Sequence, residues 1–430
     1  MTTTELRNAA LDIFQHALRS VDARAATRHA VSLQDSILRV GDSEFDVANR
    51  PVYVVGIGKA ALSMAVGLID RVGTKIARAV ISTGPSSLIS SLPPTHAVFY
   101  GGHPFPNQQS LDAAQAAFEL LDRANLERAV VIFLISGGGS AMMESPISND
   151  ITLEDLQRTN RQLITCGASI NEINVVRRSI SAVKGGRLAG RLTEAGLVTL
   201  IVSDTNSGDE SSVASGPTLP TADDQSKPLE ITDRYSLSAL LPESVVSAIR
   251  NYNANTNIKP HPFYILLDNN MAVRATAERA RELSFNTTIA FDINEQPVDE
   301  GVNLLLTRAL GMEQPGCLIS GGEFSCRVSG DGRGGRNLET VLRCAIKLHE
   351  DAQKSTVVLS AGTDGIDGSS FAAGAIADET TIPRAHELGL DPVEFLQDSN
   401  SHVFFENLDD LIVTGPTGTN VRDIRIVLTG

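Results

Sequence analysis

Short apolar runs alternate along this chain with longer segments in which apolar residues recur every three or four positions. Runs of four to eight almost wholly apolar residues predict strands that are buried on both faces. In the first half these strand patterns lie at 52–55, 79–81, 96–100, 130–135 and 198–202. The segments between them carry the helical period, as Ala113, Ala117 and Leu121 do. Strands that alternate with helices predict an α/β fold with a mostly parallel, doubly wound sheet.

The alternation resumes in the second half of the chain after a change of composition. Residues 215–242 are rich in Pro, Asp and Ser, which is typical of loops and domain borders. Further strand patterns follow at 263–267, 287–290, 317–319 and 356–360, with short ones near Leu411 and Ile424. We therefore expect two domains, residues 1–240 and 241–430, with 215–242 as a possible hinge. The last strand is the element that could return to the first domain.

The composition and net charge of the chain argue against some classes of binding partner. The chain has 430 residues, 42% of them hydrophobic, which is enough for two domains with sizeable cores. A net charge of −15 argues against nucleic acid and against an anionic membrane surface as partners. The four cysteines show no C-x-x-C pair, so neither a zinc site nor a disulfide framework is indicated. We expect small-molecule ligands, and the sequence leaves open whether the protein forms a homo-oligomer.

The first twenty residues predict an amphipathic helix rather than a targeting segment. Leu6, Ala10 and Ile13 recur at helical spacing, and acidic Glu5 and Asp12 interrupt any apolar core of a signal peptide. No apolar run reaches the roughly 18 residues of a membrane span. The expected location is the cytoplasm.

A glycine turn with a lysine in it follows the first long strand pattern. Gly56-Ile-Gly58-Lys59 joins that strand to a predicted helix, a junction where backbone N–H groups can bind a phosphate. Gly56-x-Gly58-x-x-Ala61 also fits the dinucleotide pattern, but the next strand ends at 82–84 without the acidic residue that would hold a ribose. The alternative is a glycine that serves only to turn the chain.

Polar, glycine-rich loops follow five of the predicted strands. They lie at 136–140, 203–204, 320–323, 361–368 and 414–420. Because ligands bind at the carboxyl ends of strands in open α/β sheets, we expect these loops to converge on a ligand. Their hydroxyl groups can hold phosphate oxygens and their carboxylates can hold Mg²⁺, the components of a phosphoryl-transfer site. The candidate Mg²⁺ ligands are Asp204, Asp209, Glu323, Asp364 and Asp367.

Two groups of basic residues complete the candidate chemistry. Helical periodicity over 173–195 would place Arg177 and Lys184 on one face, either as anion ligands or as a solvated basic face. Arg336 follows a glycine-rich segment at the start of a predicted helix. A cation at this end of a helix opposes the dipole, which favours a bound anion nearby. His103, in a glycine- and proline-containing loop, fits loop packing better than a role as a base.

Taken together, these residues resemble the class II glycerate 2-kinases, whose C-terminal half is the MOFRL domain. The matching stretches are spread over essentially the whole chain. They are Gly56-Ile-Gly-Lys59-Ala60, Gly102-His-Pro104, Ser136-Gly-Gly-Gly-Ser140-Ala141, Lys184-Gly-Gly-Arg187-Leu188, Ser203-Asp204, Ser215-Gly-Pro-Thr218, Ser320-Gly-Gly-Glu323, Gly335-Arg336-Asn337, Thr363-Asp364-Gly365, Asp367-Gly368 and Thr414-Gly-Pro-Thr-Gly-Thr-Asn420-Val421.

The resemblance implies ATP- and Mg²⁺-dependent phosphorylation of D-glycerate at its 2-hydroxyl. It also implies a larger Rossmann-like domain, a smaller mixed α/β MOFRL domain and an active site in the cleft between them, with Lys59 and Arg336 as catalytic residues. Three departures from the family pattern bear on substrate positioning: Leu338 replaces a glutamine, Asn107 replaces an aspartate, and 205–209 is one residue longer.

On this interpretation the candidate residues fall into three further groups. Nucleotide binding is assigned to Gly56, Gly58, Ser136, Gly137, Gly138, Gly139, Ser140, Asp204, Thr414, Gly415, Thr417 and Asn420. Substrate binding is assigned to Arg177, Lys184 and Glu323, and Mg²⁺ to Asp204, Glu323 and Asp364. Two alternatives remain open: a nicotinamide-dependent hydroxypyruvate reductase, and a catalytically silent nucleotide sensor. The base that would take the 2-hydroxyl proton is not identified.

Overall fold

The computed structural model describes residues 1–220, 227–254, 258–351 and 355–430. The chain forms two compact units. The parallel-sheet unit comprises Ala23–Leu266, and the mixed-sheet unit comprises Met1–Asp22 together with Leu267–Gly430. Within the described residues, no helix is long and apolar enough to cross a membrane.

The helices and strands are numbered along the chain. The helices are α1 (Thr3–Ser20), α2 (Ala23–Ala30), α3 (Ala61–Val72), α4 (Gln108–Leu126), α5 (Gly139–Met142), α6 (Leu153–Thr165), α7 (Ile170–Ser179), α8 (Arg187–Gly190), α9 (Lys227–Arg234), α10 (Glu243–Arg250), α11 (Asn269–Glu282), α12 (Val298–Leu310), α13 (Arg336–Asp351), α14 (Thr381–Glu387), α15 (Pro392–Gln397) and α16 (Ser401–Asn407). The strands are β1 (Val31–Gln34), β2 (Ile37–Val40), β3 (Ser43–Asp46), β4 (Val52–Ile57), β5 (Ile76–Thr83), β6 (His96–Tyr100), β7 (Val130–Ser136), β8 (Gly196–Val202), β9 (Phe263–Leu267), β10 (Asn286–Ile289), β11 (Gly316–Gly322), β12 (Thr356–Gly362), β13 (Gly374–Asp378), β14 (Leu411–Ile412) and β15 (Asp423–Thr429).

The parallel-sheet unit has a six-stranded sheet in the order β6-β5-β4-β7-β8-β9. The pairs from β6 to β8 are parallel, which confirms the predicted doubly wound α/β fold. All residues of β4 and β7 are buried, because helices cover both faces of these central strands. The strand order reverses between β4 and β7, so a ligand crevice is expected at their carboxyl ends. A small antiparallel sheet, β1-β2-β3, belongs to the same unit.

The mixed-sheet unit has a second six-stranded sheet, in the order β10-β11-β15-β12-β13-β14. Strand β15 pairs antiparallel with both β11 and β12. The expectation that the last strand could return to the first domain is therefore wrong. All seven residues of β15 are buried, and such a strand needs a central place in a sheet that is covered on both faces.

The two units differ from the predicted ranges 1–240 and 241–430 at both ends. Helix α1 packs on α11 and β12, within the mixed-sheet unit. In the other direction, α9 and α10 bury Ile231, Val245 and Ile249 in a core shared with α6 and α7. The described part of 215–242 therefore lies inside one unit and includes α9, so its Pro- and Ser-rich composition does not mark a border between the units. Residues 221–226 of the predicted hinge lie outside the described residues.

Candidate active site

The turn that carries Lys59 lies at the carboxyl end of β4, where the strand order reverses. The Gly58 amide donates to the Ser82 carbonyl (3.0 Å), and the Lys59 amide donates to the Gly137 carbonyl (2.9 Å). The Ala60 amide donates to Ser136 Oγ (3.0 Å). These three N–H groups are satisfied by the protein, so they do not form the phosphate cradle that the glycine pattern predicted. The turn instead fixes the position of Lys59.

The Lys59 side chain runs beside Gly138, in the loop after β7. A Cβ atom built on Gly138 would lie 3.2 Å from Lys59 Cγ and 3.3 Å from His103 Cδ2. Gly138 has φ +79°, a left-handed conformation that suits glycine. The structure thus brings Lys59, Gly138 and His103 together at the switch point. Sequence reasoning assigned His103 to loop packing and did not place it beside the lysine.

We expect Gly58→Ala to destabilise the parallel-sheet unit. Gly58 has φ +115°, and an added Cβ would lie 2.5 Å from Ser136 Oγ and 2.8 Å from the Gly137 carbonyl oxygen. Backbone strain and steric overlap together should lower the free energy of unfolding by about 2–4 kcal/mol, measured by urea denaturation. Gly84→Ala is the matched control, because nothing lies within 4 Å of its added Cβ. Equal stability of the two variants would contradict the prediction.

The Ser136–Ser140 loop is tied to the last residue of the 3₁₀ turn at Glu210–Ser215. Ser140 Oγ lies 2.6 Å from Ser215 Oγ, and the Ser215 hydroxyl donates to Asn174 Oδ1 (2.8 Å). Ser136 is fully buried and braces the Lys59 turn. The predicted nucleotide residues Gly58 and 136–140 therefore lie in one interlocked group of loops, and Asp204 follows β8 in the same unit. Gly56 is a buried residue of β4 beneath them.

The predicted helix over 173–195 is wrong in its second half. Helix α7 ends at Ser179, and Gly185 and Gly186 have φ values of +63° and +78°. These left-handed glycines turn the chain, so Arg177 and Lys184 do not share a helix face. The prediction failed because Ser181, Lys184 and Leu188 recur at helical spacing, whereas the two adjacent glycines between Lys184 and Leu188 interrupt the helix.

Lys184 lies in the interior and forms an ion pair with Glu144. The side chains of Lys184 and Glu144 are 1% and 4% exposed. The Ser181 hydroxyl donates to the same carboxylate (2.5 Å). Burial lowers the pKa of Lys184, although the Glu144 carboxylate opposes this effect. A cation that is already paired and buried is poorly placed for the predicted contact with a substrate carboxylate.

Arg177 is the other predicted substrate ligand, and it lies near the same carboxylate. Its Nε donates to Asn160 Oδ1 (2.9 Å). Burial lowers the pKa of Arg177, and Glu144 acts against this shift. Glu144, which sequence reasoning did not single out, is thus the central acid of a buried group. Its position directly after Met142-Met143 gave no recognisable motif.

Replacing Glu144 should destabilise the protein strongly. Glu144→Gln leaves the Lys184 ammonium buried without its counter-charge, which we expect to lower the free energy of unfolding by about 3–5 kcal/mol. Asp122→Asn is the matched control, because Asp122 pairs with Arg191 at the surface, where the two side chains are 62% and 37% exposed. Removing that exposed pair should change stability by at most about 1 kcal/mol. The free energy of unfolding of both variants is measured by urea denaturation. If Glu144→Gln loses no more stability than Asp122→Asn, the assignment of Glu144 as the counter-charge of Lys184 is contradicted.

In the mixed-sheet unit, Arg336 opens α13 and is held by two carboxylates. Its Nε and Nη2 donate to the two carboxylate oxygens of Asp423 (2.6 and 3.1 Å). Nη2 also lies 2.8 Å from Glu323 Oε1. Burial disfavours the charged guanidinium, but attraction from Asp423 and Glu323 outweighs it and raises the pKa of Arg336. Glu323, predicted to bind substrate or metal, is thus a partner of the predicted catalytic arginine.

Arg336 lines a cavity of about 520 Å³ in this unit. Its side chain keeps 36% of its surface exposed, whereas that of Asp423 is 1% exposed. The other lining residues are glycines, apolar or small side chains and three acidic residues. They are Phe324, Cys326, Val328, Gly330, Asp331, Gly332, Gly334, Gly335, Glu339, Asp367, Gly368, Ser369 and Ser399. Among these described lining residues Arg336 is the one cation, so an anion in the cavity would have to meet its guanidinium. One of the three acidic side chains, Glu339, is itself paired with Arg343 (2.7 Å).

Asp367 caps α13 directly beneath Arg336. It accepts hydrogen bonds from the backbone amides of Asn337 (3.2 Å) and Leu338 (2.8 Å). Burial raises the pKa of this carboxyl from 3.8 to about 7, although the amide donors and Arg336 act in the opposite direction. Asp367 therefore positions the helix start, a role different from the Mg²⁺ ligand that the sequence suggested.

The raised pKa of Asp367 predicts a specific pH dependence of stability. Between the ordinary carboxyl pKa of 3.8 and about 7, the folded protein binds a proton at Asp367 that the unfolded chain releases. The stabilisation is therefore present at low pH and is lost as pH rises through about 7. Between pH 5 and pH 8, deprotonation of Asp367 should lower the free energy of unfolding by about 2 kcal/mol. Asp367→Asn should lack this contribution, as urea denaturation at the two pH values would show. An unchanged pH slope would contradict this protonation state.

The remaining predicted loops of the mixed-sheet unit also meet. The Thr417 amide donates to the Asp364 carbonyl (3.2 Å), and the Thr417 hydroxyl donates to the Thr363 carbonyl (2.6 Å). A Cβ atom on Gly365 would lie 2.8 Å from Thr414 Oγ1. Thus the 361–368 and 414–420 loops are in contact, with Asn420 buried between them and β15. The five predicted loops divide between the two units, two in one and three in the other.

The predicted Mg²⁺ ligands do not form a single cluster within one unit. Asp204 follows β8 in the parallel-sheet unit, whereas Glu323 and Asp364 belong to the mixed-sheet unit. Among the described residues, no group of three His, Cys, Asp or Glu side chains is arranged to hold a metal. Because Mg²⁺ is commonly bound by one or two carboxylates together with substrate phosphates, the donor set is compatible with a nucleotide-bound ion rather than a resident one.

Comparison with known proteins relates both units to described families. Residues 9–250 match a domain family of unknown function, DUF4147, and residues 316–423 match the MOFRL family. A glycerate 2-kinase of Pyrococcus horikoshii is 33% identical, with coverage of 100% of this chain and 98% of the relative. A putative hydroxypyruvate reductase of Agrobacterium vitis is 35% identical, with coverage of 88% and 99%.

A solved structure shows the same likeness in three dimensions. The crystal structure of a glycerate kinase from Thermotoga maritima aligns with a TM-score of 0.82 and 30% identity. The alignment covers 99% of this chain and 100% of that one. Similarity in sequence and in fold therefore extends over both units.

Proposed function

Because the chain belongs to the glycerate kinase family that joins a DUF4147 domain to a MOFRL domain, we propose that it is a glycerate 2-kinase. The reaction is the transfer of the γ-phosphoryl group of ATP to the 2-hydroxyl of D-glycerate, which yields 2-phospho-D-glycerate and ADP. The observation that carries the proposal is the position of two cations at strand ends: Lys59 at the switch point of the parallel sheet and Arg336 in the cavity of the mixed sheet.

Phosphoryl transfer requires positive charge fixed near the transferred group. The transition state spreads negative charge over the phosphoryl oxygens, and preorganised cations stabilise that charge without further rearrangement. Lys59 is fixed by the hydrogen bonds of its turn, and Arg336 is fixed by two carboxylates. The Arg336 guanidinium is therefore preorganised, and at Lys59 the turn fixes the backbone from which the ammonium group extends.

The glycine- and hydroxyl-rich loops are the proposed nucleotide contacts. In the parallel-sheet unit these are Gly138, Gly139 and Ser140, beside Lys59. In the mixed-sheet unit they are the residues of the 414–420 loop. Ser136 accepts the Ala60 amide and Lys184 is buried and paired with Glu144, so we propose Arg336 rather than Lys184 as the cation that meets an anionic substrate.

Magnesium would be supplied with the nucleotide and would neutralise charge on its phosphates. Asp204 in the parallel-sheet unit, or Asp364 in the mixed-sheet unit, is the proposed carboxylate for it, and Glu323 is paired with Arg336. Binding of Mg²⁺ together with the nucleotide fits this small set of candidate carboxylates.

The direct test is incubation of the purified protein with ATP, MgCl₂ and D-glycerate. ³¹P and ¹³C NMR of the product should show a phosphate on carbon 2. Phosphate on carbon 3 would correct the regiochemistry, and the absence of any ATP consumption would overturn the kinase. The rival function is hydroxypyruvate reduction, since two relatives are named putative hydroxypyruvate reductases. Oxidation of NADH or NADPH by hydroxypyruvate, with no ATP consumption in the presence of glycerate, would establish that rival instead.

A further inference from the structure

The first residue of β15, Asp423, occupies a particular place in the mixed sheet. It is opposite Gly322, the last residue of β11, and opposite Gly362, the last residue of β12. Because β15 runs antiparallel to both neighbours, it begins where they end. Asp423 therefore lies at the edge from which the 320–323 and 361–368 loops depart.

The backbone around Asp423 is held by a second residue that the sequence analysis did not identify. Asn269, at the start of α11, donates through Nδ2 to the carbonyls of Val421 (2.7 Å) and Asp423 (3.1 Å). Asn269 Oδ1 accepts the Gly322 amide (3.0 Å). One side-chain amide thus ties the start of β15 to the end of β11.

The carboxylate of Asp423 contacts Arg336 through both of its oxygens. The contact is bidentate, with distances of 2.6 and 3.1 Å, and a bidentate arginine–carboxylate pair fixes the plane of the guanidinium as well as its position. The Asp423 carboxylate is 1% exposed, whereas Arg336 reaches the cavity. A buried carboxylate behind a partly exposed guanidinium can direct the arginine without itself meeting a ligand.

We propose that Asp423 is the positioning residue for Arg336, which it holds in the orientation needed to meet the transferred phosphoryl group. This inference rests on the proposed kinase function. Asn269 supports the same arrangement by fixing the backbone on which Asp423 stands. Glu323 lies 2.8 Å from Arg336 Nη2, but its side chain is 35% exposed against 1% for Asp423, so we expect it to contribute less to the orientation of Arg336.

The test combines a spectroscopic reading of the pair with steady-state kinetics. In ¹⁵N–¹H spectra, the Arg336 Nε–H signal, assigned by its absence in Arg336→Lys, should shift and exchange faster with water in Asp423→Asn. Misplacement of a catalytic group by about 1 Å costs about 100-fold, so kcat should fall by about that factor. The KM for ATP should change less than threefold, and Glu323→Gln should lower kcat less than Asp423→Asn does.

Each outcome bears on the proposal in a defined way. An unchanged Arg336 signal in Asp423→Asn, or a kcat within twofold of the wild type, would overturn it. If the wild-type protein does not phosphorylate glycerate, the kinase proposal fails while the Nε–H signal still reports whether Asp423 holds Arg336. Urea unfolding of each variant separates loss of fold from loss of orientation. If Asp423→Asn does not fold, the NMR and kinetic measurements are repeated on Asp423→Ser.

Discussion

Replacing Lys59 by Met should abolish most of the glycerate kinase activity while leaving the fold intact. The Lys59 side chain is partly exposed and runs beside Gly138, whereas the hydrogen bonds that fix the turn come from its backbone. Lys59→Met keeps that backbone and the length of the side chain but removes the charge. Loss of one preorganised donor to a transition-state oxyanion lowers kcat by about 10²–10³-fold, the change that we expect here.

The matched control for Lys59 is Lys75, in the 3₁₀ turn directly after α3. Lys59 lies just before the same helix. Both substitutions replace one lysine by methionine, so they change the net charge of the unit equally. Lys75→Met should leave kcat within about twofold, since an ordinary surface substitution changes little beyond about 0.5 kcal/mol. A Lys59→Met variant that retains more than a tenth of the wild-type kcat would remove Lys59 from the catalytic residues. If binding alone were its role, KM for ATP would rise with kcat unchanged.

Arg336→Lys should be nearly as damaging, even though it conserves the charge. Lysine is a point charge on a flexible chain, and it cannot form the two parallel hydrogen bonds that Asp423 accepts from Arg336. The ammonium would therefore pair with Asp423 or Glu323 without a defined orientation toward the cavity. We expect kcat to fall by about 100-fold, in line with the misplacement of a catalytic group.

Arg333→Lys provides the comparison for Arg336→Lys within the same glycine-rich segment. Arg333 pairs with Glu406 at the surface, where the two side chains are 42% and 46% exposed. Exposed pairs of this kind contribute about 1 kcal/mol or less, so this variant should keep its activity. Equal loss of kcat in the two variants would indicate that the segment as a whole, rather than the Arg336 guanidinium, matters for the reaction.

Some features of this protein were determined by its sequence alone. The uninterrupted apolar runs at 52–55 and 130–135 could be satisfied only by strands buried on both faces, and the structure has them as β4 and β7. The order of glycine, serine and lysine motifs was specific enough to indicate the family, which the comparisons over both units confirm. Position at a junction of glycine-rich loop and helix suggested Lys59 and Arg336 as anion contacts, and the family resemblance implied their catalytic role.

Other features depended on contacts between residues far apart in the chain. Periodicity placed Lys184 on a helix with Arg177, but two left-handed glycines and the buried carboxylate of Glu144 decided its position. The Gly58 turn matched a phosphate-binding pattern, yet its amides are taken by Ser82, Ser136 and Gly137. A local sequence pattern indicates which secondary structure a segment prefers. It does not indicate which distant acceptor will satisfy the hydrogen bonds of that segment.

The position of β15 in the mixed sheet is the clearest example of a feature that local sequence patterns did not predict. Its apolar residues predicted a buried strand, but nothing in them specified the neighbours β11 and β12 or the antiparallel direction. That arrangement is what brings Asp423 to Arg336, across 87 positions of sequence. The sequence alone determined which residues carry charge and which strands must be buried. Only the tertiary structure decided which carboxylate orients Arg336, because strand pairing and burial are set by the whole chain.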